Sequence, residues 1–281
     1  MVSIKEITMK TPYEVNTTKL ISVVDESSTI RTFRLEPKPI EFKAGQFAEL
    51  AVPGIGEAPF TPSSSQYDKE KMEFTIMKVG RLTSALFNLK PGDTVGVRGP
   101  YGKPYPVEKF KGKEIFIVGG GVGFAPLRAL FLTLLHKIED YKKIYIRYGA
   151  RTPDDIIYKQ FIPEWSKLDK VDIKMSVDVG TKDWSASGGK VGVVTVLLDE
   201  IPVSITDSSV IVCGPPIMIK FVTKKLLELG FPGSNIYLSM ESNMSCGIGQ
   251  CNHCRIGELY SCKDGPVFTW DQIKHIKDPF I

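Results

Sequence analysis

The sequence predicts a β plus α/β protein, in which a small antiparallel barrel or sandwich precedes a parallel sheet covered by helices. Evenly spaced short strands occupy about 17–99, and apolar runs alternating with amphipathic helical segments follow from about 114. Four of the five cysteines then stand together between Cys246 and Cys262. These changes of pattern predict three parts, at 1–108, 109–240 and 241–281.

The first part shows the alternation of apolar and polar residues that is typical of half-buried strands. It is clearest in Thr32–Leu35 and Glu73–Ile76. Ser63–Ser65 indicate a loop, and one short helix is expected at Thr83–Leu89. The predicted strands are 19–27, 29–37, 46–53, 72–79 and 93–99.

The second part has near-continuous apolar strands, which are typical of a parallel sheet with both faces covered. Its principal helices are expected at 125–138 and 216–230. The other predicted units are 114–121, 142–150, 171–178, 193–201, 208–214 and 235–240.

Composition and charge exclude several classes of function. Hydrophobic residues make up 42% of the 281 residues, the net charge is +4, and no block of like charge occurs. We therefore expect no nucleic-acid partner. The first ten residues lack the apolar core of a secretory signal, and the longest apolar stretch is too short for a membrane span. A cytoplasmic location is expected, where clustered cysteines are more often metal ligands or redox groups than disulfides.

Two loops at strand ends are candidate ligand sites. The first follows strand 114–118, permits a close backbone approach, and opens a helix whose N-terminus attracts phosphate. It contains Gly119, Gly120, Gly121, Val122 and Gly123, followed by Ala125 and Pro126. The acidic residue usual at the end of the second strand is missing, and Arg151 follows that strand instead. The second loop contains Cys213, Gly214, Pro215 and Pro216.

The cysteine spacing C-x4-C-x2-C-x7-C favours a [2Fe-2S] cluster. Its first three positions match the plant-type ferredoxin arrangement, and four thiolates complete such a site. The ligands would be Cys246, Cys251, Cys254 and Cys262. Zinc remains the alternative, although zinc sites more often pair two C-x2-C knuckles. We expect His253 on the outside of the turn.

The order of these motifs resembles the ferredoxin-NADP reductase superfamily. That resemblance implies an FAD-binding barrel followed by an NAD- or NADP-binding domain. Its flavin motif, Arg-x-Tyr/Phe-Ser/Thr, corresponds to Ala58, Pro59, Phe60 and Thr61, so the arginine is absent. A second flavin segment corresponds to Lys78, Val79, Gly80, Arg81, Leu82 and Thr83. The amides of 79–83, with the Lys78 and Arg81 side chains, would then neutralise the FAD pyrophosphate.

Within this superfamily, the C-terminal position of the cysteines restricts the resemblance to a smaller group. The chain is similar to the gamma subunit of cytosolic NiFe hydrogenases (sulfhydrogenases) and to the flavin subunit of anaerobic sulfite reductase. The electron-transfer subunit of dihydroorotate dehydrogenase B is a more distant relative. The resemblance implies a diaphorase subunit that moves electrons between NAD(P)H and partner redox subunits, with ferredoxin as another candidate partner. Thr61 and Cys213 would be the neighbours of the reacting atoms.

Two other functions are consistent with the same motifs. One is an electron-transfer or structural subunit that binds no nicotinamide, and the other is a free-standing ferredoxin or quinone reductase. The sequence does not distinguish NADH from NADPH, although Arg151 is placed to meet an adenosine phosphate. It also does not identify the terminal acceptor, the number of partner subunits or the direction of electron flow.

Overall fold

The computed structural model describes residues 11–280, in which an antiparallel sheet is followed by a mainly parallel one. The strands of the first sheet are β1 (Asn16–Asp25), β2 (Ile30–Glu36), β3 (Phe47–Val52), β4 (Gly56–Phe60), β5 (Met72–Met77) and β6 (Thr94–Tyr101). They are ordered β4-β3-β6-β1-β2-β5. One helix, α1 (Arg81–Asn88), begins two residues before its predicted start.

The antiparallel sheet closes into a barrel where the segment after β4 meets β5. The Ser63 N–H donates to the Glu73 carbonyl at 2.7 Å, and the Glu73 N–H donates to the Ser64 hydroxyl at 3.0 Å. Alternate side chains of β2, including Phe33 and Leu35, point into the barrel core. The predicted antiparallel barrel is therefore present.

The second sheet is parallel except at one edge. Its strands are β7 (Glu114–Gly120), β8 (Lys143–Ala150), β9 (Val171–Val177), β10 (Lys190–Val191), β11 (Ser208–Cys213), β12 (Ile236–Ser239) and β15 (Val267–Thr269). They are ordered β10-β9-β8-β7-β11-β12-β15, with β15 antiparallel to β12. A separate hairpin pairs β13 (Arg255–Ile256) with β14 (Leu259–Tyr260).

Helices cover both faces of this sheet. They are α2 (Phe124–Leu135), α3 (Ile162–Trp165), α4 (Lys182–Ala186), α5 (Pro216–Glu228) and α6 (Trp270–Ile273). Along β7, Ile115 and Ile117 join the core beneath α2, whereas Phe116 and Val118 join the core beneath α5. This alternation explains why the strand is apolar throughout. Within residues 11–280, no helix has the length and apolarity that a membrane span requires.

The short elements α3, α4, α6, β10, β13 and β14 were not predicted, and three further differences have a physical reason. β4 was missed because glycine and proline interrupt it, but an edge strand tolerates Pro59. The predicted unit at 193–201 contains only a 3₁₀ turn, Val194–Leu198. β15 was also missed, and through it the C-terminal segment adds a strand to the parallel sheet.

Buried polar contacts join the barrel to the parallel-sheet domain. Arg128 on α2 donates to the Glu73 carboxylate at 2.8 Å. The Tyr158 N–H donates to the Glu26 carboxylate at 2.8 Å, and the Tyr158 hydroxyl donates to Thr75 at 2.6 Å. Because an unpartnered buried polar group is costly, these contacts favour one relative placement of the two domains. They define the cleft described below.

Candidate active site and cluster loop

The two predicted loops meet at the carboxyl edge of the parallel sheet. β7 and β11 are neighbours, with Gly119 opposite Cys213. The chain continues from β7 to β8 on one side and from β11 to β12 on the other, so this is where the strand order reverses. Open α/β sheets bind ligands at such a point. An ideal Cβ added to Gly123 would lie 2.5 Å from the Gly214 Cα, so the loops pack backbone against backbone.

A pocket of about 800 Å³ opens beside these loops. Predicted nucleotide residues in its wall are Gly120, Gly121, Arg151 and Pro215. The α5 residues Ile217 and Phe221 supply apolar wall, and both are exposed beyond half of their surface. The pocket combines an apolar surface with glycine amides at a sheet edge, as a dinucleotide requires.

A second pocket of about 270 Å³ lies between the barrel and the parallel sheet. It brings together residues from both predicted cofactor segments. From the barrel come Pro59, Phe60, Thr61, Val79 and Thr83, and from the second domain come Val122, Ala125, Pro126 and Cys213. Its apolar walls and neighbouring hydroxyl groups fit a flat, partly polar ring system such as a flavin.

The remaining predicted cofactor residues flank the two pockets without lining them. These are Ala58, Lys78, Gly80, Gly119, Gly123, Gly214 and Pro216. The N–H groups of Val79 and Gly80 donate to the Thr83 hydroxyl at 2.9 and 2.8 Å, and the Arg81 guanidinium donates to the Ile55 carbonyl. The expectation that the amides of 79 and 80 face a pyrophosphate therefore needs correction, because they already have a local acceptor.

Thr61 and Cys213, the two predicted neighbours of the reacting atoms, line the smaller pocket together. A carboxyl group that sequence reasoning missed, Glu241, lies in the same wall. Loss of hydration raises the pKa of Glu241. Burial and, after it, the charge of Glu241 raise the pKa of the Cys213 thiol. The position of Glu241, the second residue after β12 at the carboxyl edge of a parallel sheet, was the available sequence signal.

The cysteine loop places its sulfur atoms against backbone donors. Cys246, Cys254 and Cys262 are buried, while Cys251 is partly exposed. The Ile248 and Gln250 N–H groups donate to the Cys246 sulfur at 3.4 and 3.3 Å, and the Gly249 N–H donates to the Cys262 sulfur at 3.0 Å. Such hydrogen bonds are characteristic of iron–sulfur ligation. His253 is exposed, as predicted, and its Nδ1 lies 2.9 Å from the Ser245 hydroxyl.

The four thiols lie together in the cysteine loop and form two contact pairs. Cys246 interacts with Cys251, and Cys254 interacts with Cys262. The Cys262 thiol is also influenced by Cys246. Four thiolates are the ligand number of a two-iron cluster, which takes two on each iron.

The local environment gives the Cys246 and Cys262 thiols different pKa values. Although burial opposes ionisation, the N–H groups of Ile248, Cys251 and Gln250 lower the pKa of Cys246 to about 6. Burial, followed by contact with the Cys254 thiol, raises the pKa of Cys262 to about 12. Because metal ligation requires thiolates, binding of iron to Cys262 would release its proton.

The smaller pocket and the cysteine loop share a wall. Phe47 and Met244 both line the pocket and pack in the apolar cluster that contains Cys246, Cys254 and Cys262. Phe47 also stacks obliquely on Tyr101, with ring centroids 5.6 Å apart. One layer of side chains therefore separates the two candidate cofactor sites.

A buried carboxyl group lies under this region. Glu49 on β3 has no exposed surface, pairs in register with Arg98 on β6, and has no hydrogen-bond partner for either carboxylate oxygen among the described residues. Burial raises the pKa of Glu49 to about 8, although the Arg98 charge opposes the shift. An unpartnered buried carboxylate is costly, so this carboxyl folds most readily in its protonated form.

We expect Glu49→Gln to stabilise the protein increasingly as the pH rises from about 5 to 8. In the unfolded chain the glutamate ionises near its ordinary pKa of 4.5, but in the folded protein it does so only near 8, so wild-type stability falls across this window. The loss is at most about 1.4 kcal/mol per pH unit. Thermal unfolding midpoints measured between pH 5.5 and 8.5 test this. Glu164→Gln, at an exposed position, is the control, and equal pH slopes for wild type and Glu49→Gln would contradict the prediction.

Family models match all three parts of the chain. Residues 17–105 match an oxidoreductase FAD-binding domain, and residues 117–224 match an oxidoreductase NAD-binding domain. Residues 241–274 match the iron-sulfur cluster binding domain of dihydroorotate dehydrogenase B. The predicted boundaries at 108/109 and 240/241 lie between these matches and are retained as a proposal. The cofactors FAD, NAD and an iron–sulfur cluster are thus those of the matched domains.

Whole-chain relatives identify the family. Sulfhydrogenase 1 subunit gamma of Pyrococcus furiosus is 36% identical over 96% of this chain and 96% of its own length. A probable dihydroorotate dehydrogenase B (NAD(+)) electron transfer subunit of Methanocaldococcus jannaschii is 34% identical over 92% and 91%. The chain belongs to this family of oxidoreductase subunits. It is therefore a member of the ferredoxin-NADP reductase superfamily, and the predicted resemblance is confirmed.

A solved structure supports the same assignment. The NADH-dependent reduced ferredoxin-NADP oxidoreductase, studied for flavin-based electron bifurcation, superimposes with a TM-score of 0.75 at 26% identity, over 92% of this chain and 91% of that chain. The matched FAD-binding, NAD-binding and iron-sulfur cluster binding domains follow one another in the order barrel, parallel sheet and cysteine segment.

Proposed function

We propose that this chain is the NAD(P)H-dependent diaphorase subunit of a multisubunit redox complex. It would carry electrons between NAD(P)H and a partner redox subunit through FAD and a [2Fe-2S] cluster. The observation that carries the proposal is the shared wall of Phe47 and Met244, because a flavin bound in the smaller pocket would lie next to a cluster held by the cysteines.

The protein groups in the cleft would bind and orient the reactants. The amides of the Gly119–Gly123 loop and the 214–216 turn would hold the dinucleotide at the sheet edge, and Arg151 would meet its adenosine end. Thr61, Cys213 and Glu241 would position the nicotinamide against the flavin pocket and exclude water. A bound flavin would supply the exchange between two-electron hydride chemistry and one-electron transfer.

The cysteine loop would hold the group that transfers single electrons. Cys246, Cys251, Cys254 and Cys262 would hold the cluster, with backbone N–H groups directed at two of the sulfurs. Cys251 is the partly exposed member of the set, so we propose that the partner subunit docks beside it. Which subunit docks there, and the cytoplasmic location expected from the sequence, stay predictions.

We expect anaerobically purified protein to show flavin absorption and about two irons per chain. One of NADH and NADPH, added to separate samples, should bleach the flavin bands, because the Gly119–Gly123 loop and the 213–216 turn contribute residues to both pockets. Dithionite added to a third sample is the control, since it reduces both cofactors without using the nucleotide site. A flavin reduced by dithionite but by neither nucleotide would contradict the diaphorase role. A colourless protein that contains zinc would contradict both cofactor assignments.

A further inference from the structure

One arginine of the barrel makes five hydrogen bonds, two of which join the barrel to the cysteine loop. Arg98 on β6 is 3% exposed. Its Nε and Nη2 donate to the two Glu57 carboxylate oxygens at 2.8 and 2.6 Å, and its Nη1 donates to the Tyr101 hydroxyl at 2.8 Å. Nη2 and Nη1 also donate to the Ser245 and Cys246 carbonyls at 2.6 and 3.1 Å.

This geometry uses the full donor capacity of a guanidinium. Arginine has five N–H donors in a rigid fork, and all five have an acceptor here. Two of the acceptors are consecutive carbonyls that belong to the first cluster ligand, Cys246, and the residue before it. Lysine has three donors and cannot reproduce this planar set. Arg98 therefore fixes the peptide at which the cluster loop begins.

Tyr101, the aromatic neighbour of Arg98, limits the space for the loop backbone at Gly247. Gly247 has a φ of +76°, and an added Cβ would lie 2.8 Å from the Tyr101 ring. The Tyr101 hydroxyl in turn accepts from Arg98 and donates to the Pro12 carbonyl. The chain therefore turns from Cys246 against a surface built by Arg98 and Tyr101.

The charge of Arg98 is only partly neutralised. Its paired carboxylate, Glu57, is 36% exposed, so solvent screens the negative charge more than the buried positive one. Glu49, its in-register neighbour on β3, makes no hydrogen bond to the guanidinium. A net positive potential at the Ser245–Cys246 peptide follows.

We propose that Arg98 is a positioning residue of the iron–sulfur centre, which fixes the Ser245–Cys246 peptide and raises the reduction potential of the cluster through its buried positive charge. The inference rests on the proposed function, because it requires the cluster. Reduction adds one electron to the centre, and a nearby cation stabilises the more negative state. Net charge is one of the factors that set iron–sulfur potentials.

The test is a mediated redox titration of the whole purified protein, with the EPR signal of the reduced cluster as readout and iron content measured in parallel. Arg98→Gln should shift the equilibrium about tenfold toward the oxidised cluster, which is a fall of about 59 mV for one electron. Arg98→Lys keeps the charge and should restore most of the shift. A charge-matched control, Arg34→Gln, changes an arginine whose ion pairs are with Glu36 and Glu73 and should leave the potential unchanged.

A second variant keeps the inference testable if Arg98→Gln does not assemble the cluster. Glu57→Gln leaves the guanidinium in place but removes its counter-charge, so the potential should rise. A wild-type potential in Arg98→Gln or in Glu57→Gln, or equal shifts in Arg98→Gln and Arg98→Lys, would overturn the role of the charge. Absence of iron from the wild-type protein would instead overturn the proposed function and this inference together.

Discussion

Replacing Gly123 with alanine is expected to slow flavin reduction by nucleotide about 100-fold, because reacting groups displaced by about 1 Å lose rate on that scale. An added Cβ would lie 2.5 Å from the Gly214 Cα and 2.6 Å from its nitrogen. These are backbone atoms, so one of the two ligand-binding loops must move. The Gly123 backbone is in the right-handed helical region, with a φ of −61°, so alanine adds a clash and no conformational strain.

Stopped-flow measurement of flavin bleaching gives the rate, and thermal unfolding gives the stability. Overpacking of this kind costs about 1–3 kcal/mol. Gly96→Ala on β6 is the matched control, since its added Cβ would crowd Val15 at 2.8 Å and Ala51 at 3.2 Å at a position that lines neither pocket. We expect a much smaller change in that variant. Equal rates for Gly123→Ala and wild type would mean that the contact between the loops does not set the nucleotide geometry.

The parts of the fold that could be predicted from the sequence are those that local pattern controls. β7 and α2 were predicted because burial on both faces leaves a continuous apolar strand, and the glycines that follow are needed for close packing. β4 and β15 could not be predicted in this way. β4 carries a proline that only an edge position tolerates, and β15 has three residues and pairs with a strand about thirty positions earlier.

The candidate site also contains residues that the local sequence predicts and residues that it does not. The cysteine ligands and strand-end loops were predicted because their chemistry is expressed in local spacing. Phe47, Glu49 and Arg98 gave no such signal, because an arginine and a glutamate within a strand are commonplace on a solvated face. Their importance comes from tertiary pairing, which brings Arg98 to the carbonyl of Cys246, 148 positions away. Such contacts become visible only when the barrel and the tail are placed together.

The second large effect is expected at the cysteines. Cys254→Ala should lower the iron content from about two atoms per chain to near zero, because four thiolates are needed to hold the cluster. Cys254 is 1% exposed and interacts with Cys262, so the variant leaves one pair without a member. Flavin bleaching by nucleotide should persist in this variant, since Cys254 does not line either of the two pockets proposed for the nucleotide and the flavin.

The same variant separates the two halves of the proposed electron route. Electron delivery to an obligate one-electron acceptor should fall with the iron content while hydride transfer to the flavin continues. Cys213→Ala is the matched control for iron, because this fifth cysteine lies at the end of β11 and outside the cluster loop. It should keep its full iron content. Full iron in Cys254→Ala would show that the ligand set is wrong, and loss of zinc in place of iron would show that the paired thiols hold a structural metal.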